Sequence, residues 1–96
     1  MFIQTEATEN ANAMKYLPGQ EVYADGPISF ESADAAAQAP LARRLFGVSD
    51  VQKVEIGSDS VTVTKSDGAD WLHLKPAVLG AIMDHFVTGD AAVNEG

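Results

Sequence analysis

The chain has 96 residues, 14 acidic against 6 basic side chains, a net charge of −8 and 46% hydrophobic content. Its mass is 10.1 kDa, which predicts one domain exposing roughly 5,300 Å² when folded, and this composition belongs to folding chains rather than disordered or membrane-embedded ones. The absence of cysteine excludes disulfides, thiol catalysis and thiolate-ligated clusters within these residues, and the acidic balance opposes binding to a polyanion such as DNA or RNA.

In chain order, residues 2–8 are rich in β-branched side chains and read as a strand, with a turn at Glu9-Asn10-Ala11-Asn12. Ala13-Met14-Lys15-Tyr16-Leu17 follows as a second strand stopped by Pro18-Gly19, and the pair predicts a hairpin. Residues 20–26 are polar and take no assignment. Pro27-Ile28-Ser29-Phe30 predicts a short strand, which its proline places at a sheet edge.

Ser32 can cap the amides of the run Ala33-Asp34-Ala35-Ala36-Ala37-Gln38, which predicts a short helix over 33–38. Pro40 disfavours helical geometry at Ala39, so a second helix restarts over 40–46 and stops at Gly47. Its Leu41, Ala42, Leu45 and Phe46 turn inward and leave Arg43 and Arg44 outward near the negative helix end. Val54 and Ile56 then share one strand face against Lys53 and Glu55, and Val61-Thr62-Val63-Thr64-Lys65 resumes the alternation. This is the clearest hairpin in the chain. After the loop 66–69, Asp70 caps a turn, and Pro76 opens a last helix over about 76–88. On that helix Val78, Leu79, Ile82, Met83 and Phe86 fall within an arc of about 140° that reads as the core-facing stripe. Gly89 ends the helix, and residues 90–96 read as a tail or the opening of a linker after a domain of 1–89. The fold class expected is α+β, with a small, mainly antiparallel sheet.

The residues that could carry chemistry are few. His73 and His85 stand twelve apart, about 120° around a helix, too divergent to share a metal, and both read as surface or boundary histidines. Asp70, Asp84 and His85 are the only acid–base set worth naming, yet carboxylates at caps and on helix surfaces are ordinary. The loops around Asp59 and Asp67 lack the spacing of a calcium loop, and the glycines form no phosphate cradle. Trp71 reads as a core anchor. No catalytic, cofactor-binding or metal-binding residue is assigned. Charge is uneven: residues 1–40 hold six acids and one base, residues 41–65 three acids and four bases, and residues 66–96 five acids and one base. Arg43 and Arg44 are therefore the candidate partner-binding residues, an isolated positive pair able to orient an acidic protein partner. No run is long and apolar enough to span a bilayer, and the opening residues lack a signal peptide's pattern, so a cytoplasmic setting is expected.

Several stretches together resemble the N-terminal domain of Nfu/NifU-type iron–sulfur cluster scaffold proteins. Lys15-Tyr16-Leu17-Pro18-Gly19 is similar to that family's K-[FY]-x-P-G element, and Pro40-Leu41-Ala42-Arg43-Arg44-Leu45-Phe46 to its S-P-L-A-x-x-L-F helix, with Ala39 in place of serine. The opening Met1-Phe2-Ile3-Gln4-Thr5, Val61-Thr62-Val63-Thr64-Lys65, Asp70-Trp71 and Leu74-Lys75-Pro76 complete the match. Besides Ala39, three positions depart from it: Ala11 stands at the proline of the N-P-N turn, Glu9 precedes that turn where another proline is common, and Ser60 follows Asp59 where an aromatic is usual. The resemblance implies an α+β fold and a non-catalytic recognition domain that does not itself ligate the cluster. It implies a cysteine-bearing C-terminal domain as the cluster's holder, and protein partners: that domain, cluster donors or cluster recipients. A free-standing acidic interaction module is the alternative, and a small hydrolase-like enzyme using Asp84 and His85 ranks third.

Overall fold

The computed structural model describes residues 3–24, 26–37 and 39–88. The expectations for Met1 and Phe2, for Gln38, for the Gly89 stop and for the tail over 90–96 lie outside the described residues. The elements are β1 (Gln4–Ala7), β2 (Ala13–Leu17), β3 (Ile28–Phe30), α1 (Pro40–Phe46), β4 (Val51–Ile56), β5 (Val61–Lys65) and α2 (Trp71–Thr88). The five strands form one sheet in the order β1-β2-β5-β4-β3, antiparallel throughout. With two helices on one side, this is the expected α+β class. The accessible surface of 5340 Å² matches the expectation from mass.

Register explains which sheet face is dry. Tyr16 pairs with Val61 and Val61 with Ile56, while Val63 pairs with both Met14 and Val54 and Phe30 pairs with Val54, so these apolar residues line one face. α1 packs on β4 and against α2. Leu41, Ala42 and Leu45 of α1, with Val78 and Ile82 of α2, join those strand residues in one buried cluster. The other face carries no helix, and its cross-strand row Glu6, Lys15, Thr62, Glu55, Ser29 is polar from edge to edge.

β3 stands at the sheet edge, as expected, although Pro27 lies just before the strand rather than in it. Just before it, a Cβ on Gly26 would lie 2.7 Å from the Ile56 carbonyl oxygen, so only glycine allows the chain this close to β4.

Two helical expectations are corrected. Residues 33–37 form consecutive turns and no α-helix. Ser32 Oγ does accept from the Ala35 amide at 3.1 Å as a cap, but only one helical bond follows, Ala36 to the Ser32 carbonyl at 3.2 Å, while Ala36 to Ala33, Ala37 to Asp34 and Ala39 to Ala36 close over three residues. With Pro40 directly ahead, the segment is too short to repay the cost of nucleating a helix. Conversely, α2 begins at Trp71 and carries Pro76 inside it. Asp70 supplies the start: its Oδ1 accepts from the Leu72 amide at 2.9 Å, and its carbonyl accepts from His73 and Leu74 at 3.0 and 3.1 Å. Pro76 deprives the Leu72 carbonyl of its helical donor, but Leu72 is 77% exposed, so water can satisfy that group.

The expected stripe holds in part. Val78 and Ile82 are buried, and Leu79 and Phe86 pack half-buried against the core, but the fully buried residues also include Leu74 and His85, which widens the inner face beyond that stripe. Met83 is exposed instead. His85, expected at the surface, is buried, with its ring edge-on to Phe86 at 5.2 Å between centroids.

Candidate functional surfaces

The predicted pair on α1 is divided by burial. Leu41, Ala42 and Leu45 pull one side of this short helix into the core, which leaves Arg43 fully outward and Arg44 half-buried on the flank. Their position in the last turn complements the helix dipole, and the Gly47 amide closes that turn on the Arg43 and Arg44 carbonyls at 3.1 and 3.2 Å.

The candidate acid–base set does not assemble. Asp84 and His85 are neighbours on one helix, so their side chains diverge by about 100°. Asp84 is exposed while His85 faces the core. His73 is exposed on the same continuous helix, so the two histidines point to different environments and cannot share an ion. Among the described residues no group of three or more His, Asp or Glu side chains is placed to hold a metal.

A more structured site lies where the β1–β2 turn meets the β5–α2 connection. Lys65 continues the inward parity of Val61 and Val63, so it is buried. Its Nζ donates to Asn12 Oδ1 at 2.8 Å and to the Ser66 carbonyl at 3.4 Å, and lies 6.0 Å from the Trp71 ring centroid. The Lys65 amide donates to the Asn12 carbonyl at 2.7 Å, and Asn12 Nδ2 donates to Asp67. Trp71 Nε1 donates to the Ala11 carbonyl at 3.1 Å, and its ring stands 6.4 Å from that of Tyr16. Three sequence stretches singled out separately, the Asn10-Ala11-Asn12 turn, the Val61–Lys65 strand and Asp70-Trp71, thus converge on one corner. Nothing singled out Lys65 in the sequence, although the strand's period of two was a sufficient signal. Trp71 is half-buried rather than fully enclosed.

Tyr16 ends the corner on its inner side. Burial penalises its ionised form and pushes the phenol up to about 12. Its hydroxyl has no hydrogen-bond partner among the described residues, so Tyr16 stays protonated and packs as an aromatic. Two open grooves complete the surface. One of about 590 Å³ lies between the ends of β1 and β2 and the β4–β5 turn, with Gln4, Glu21, Ser58 and Asp59 in its wall. The other, about 580 Å³, lies between the α1–β4 loop and the start of α2, beside Asp50, Asp70 and His73.

Relatives of this chain are named as scaffold proteins. The chain is 44% identical over 96 residues to a Drosophila persimilis protein, "NFU1 iron-sulfur cluster scaffold homolog, mitochondrial", covering 99% of this chain and 34% of that protein. It is 43% identical over 96 residues to the human protein of the same name, covering 99% of this chain and 38% of that protein. The chain therefore spans little more than a third of the length of these curated relatives. They are named mitochondrial, which overturns the expectation of a cytoplasmic setting. The solution structure of a NifU-like protein from Saccharomyces cerevisiae superposes with a TM-score of 0.85 at 24% identity, covering 99% of this chain and 86% of that one. A crystal structure of a Staphylococcus aureus protein superposes with a TM-score of 0.73 at 22% identity, covering 85% and 99%. Both show the same fold. The family model "Scaffold protein Nfu/NifU N terminal" matches residues 3–89, and the chain belongs to that family.

Proposed function

We propose that this chain is a non-catalytic recognition domain of an iron–sulfur cluster scaffold or carrier protein and does not itself ligate the cluster that such a protein carries as cargo. The observation that carries this reading is the absence of cysteine from all 96 residues in a member of a scaffold family. Carboxylates and two divergent histidines do not replace the thiolates that clusters usually require. The unit would be the domain over residues 1–89, and its partners would be proteins: the remainder of the scaffold, cluster donors or recipients. The separation of Asp84 from His85 argues against the hydrolase-like alternative.

Anaerobic reconstitution of the chain with iron and sulfide, followed by desalting, tests the non-ligating role. No retained visible absorbance is expected; a stoichiometric band surviving desalting would refute it. Arg43 and Arg44 are the proposed partner contact, since Arg43 projects outward from α1 on an acidic domain, opposite the buried Leu41, Ala42 and Leu45. In the full-length scaffold, reversing both to Glu is expected to leave the melting temperature near wild type and to weaken partner binding or slow cluster transfer most at low salt. Binding and transfer unchanged at low ionic strength would exclude this pair as the contact.

A further inference from the structure

Among the described residues, the large apolar side chains that stand exposed are Leu72 at 77%, Met83 at 39% and Val87 at 85%. All three belong to α2. At about 100° per residue they fall, with Pro76, within an arc of about 60°, on the side of the helix turned away from the buried stripe. Apolar side chains aligned on one helix face are what a contact surface presents.

Its pattern says what covers it. Leu72 and Val87 are equidistant from the midpoint between Leu79 and Gly80, and so are Pro76 and Met83. A two-fold axis at that midpoint lays two copies of α2 antiparallel and sets Leu72 of one copy against Val87 of the other, and Pro76 against Met83. Self-complementarity of this sort is the requirement of an isologous dimer interface. Gly80 lies beside the midpoint of the face along the helix and about 50° around from its centre, and an added Cβ there would meet nothing within 4 Å inside the chain. No internal packing asks for glycine at this half-buried position, and glycine is a poor helix former. A close helix–helix approach at the axis gives it a use.

The polar edge of the face fits the same operation. His73 and Asp84 lie on one flank, about 20° apart around the helix, and both are exposed. An antiparallel two-fold keeps like flanks together, so each His73 comes within about one turn of the other copy's Asp84, a donor beside a carboxylate rather than two carboxylates. Asp84 is the one acidic residue within α2, so the chain's excess negative charge lies mostly off this surface.

We propose that the outer face of α2 is a two-fold interface through which two copies of this chain associate. An 18-residue helix is about 27 Å long, and one helix per copy buries an area at the low end of specific interfaces, so the dimer is weak, with Kd on the order of 10⁻⁴ M. The test is sedimentation equilibrium of the 96-residue chain from about 10 µM to 1 mM. The average mass is expected to climb towards twice the monomer value. Leu72→Glu and Val87→Glu, both at highly exposed positions whose helix can be checked by circular dichroism, are each expected to weaken association at least tenfold, while Leu72→Met leaves it within twofold. Amide shifts that change on dilution should cluster over 72–87. A monomer at every concentration overturns the interface and leaves the face to a different partner. Association that survives both glutamate variants in folded protein, or dilution shifts confined to the open sheet face, also overturns it.

Discussion

The two sides of α2 carry similar apolar content and have opposite fates. Leu74, Val78 and Ile82 are buried in the core, while Leu72, Met83 and Val87 face water. Apolarity alone does not select which side is buried; the point at which the helix begins and the elements it meets do. Asp70 starts the helix early, Trp71 is held by the Ala11 carbonyl, and these two anchors set the rotation that brings His85 inward and turns Met83 out.

The largest break of this contrast is Ile82→Ala, which removes a fully buried side chain. It is expected to cost about 2–5 kcal/mol in denaturant unfolding, and each kcal/mol lowers the melting temperature by about 4–8 °C in a domain of this size. Trp71→Ala should follow at about 2–3 kcal/mol, below the cost for an enclosed tryptophan because the ring is half-exposed, with the loss including its bond to Ala11. The Lys65 corner sharpens the comparison with an asymmetry. Asn12→Ala leaves a part-buried ammonium with only its 3.4 Å bond to the Ser66 carbonyl and should cost about 1–3 kcal/mol, whereas Lys65→Met removes the charge together with its bonds and should cost less than Asn12→Ala. Equal losses would show that the hydrogen bond itself, rather than the stranded charge, matters.

Tyr16 offers a test by pH on the inner side of the same corner. Its folded value is pushed up to about 12 from the ordinary 10.0 by burial, so the folded state holds the proton more tightly than the unfolded chain. That contribution to stability is complete below about pH 10 and is lost as pH rises from about 10 to 12. Ultraviolet titration should show this tyrosine ionising only as the fold is lost. The smallest effect belongs to the outer side of α2: Val87→Ala should change stability by no more than about 0.5 kcal/mol, measured at a concentration where the chain is monomeric.

Much of the sheet was legible because its signals are local. The alternation over 53–56 and 61–65, the turn at Asn10-Ala11-Asn12 and the proline before Ile28 each act within a few residues, and strands stand at those places, with β4 beginning two residues earlier at Val51. The helices were harder to read. The run after Ser32 has a real cap but a single i→i+4 bond among i→i+3 ones to follow it, and the proline at 76, an ordinary helix opener, is carried inside α2 because Leu74 is buried ahead of it. Arg43 and Arg44 were legible as an outward pair, yet the flank of α1 half-covers one of them. The cellular setting was not legible, since addresses are read by receptors and need leave no mark on a folded domain.

By itself, then, the sequence determined the α+β class, the strands, the inward faces of β4 and β5, the extent of α1 and the exclusion of thiolate chemistry, because parity, turn residues and residue chemistry act locally. Only the tertiary structure decided the rotation of α2, the burial of His85, the convergence of Asn12, Lys65 and Trp71, and the separation of Asp84 from His85. Each of those depends on which surfaces meet across dozens of intervening residues, and hydrogen bonds such as that from Trp71 to Ala11 join positions no local pattern connects.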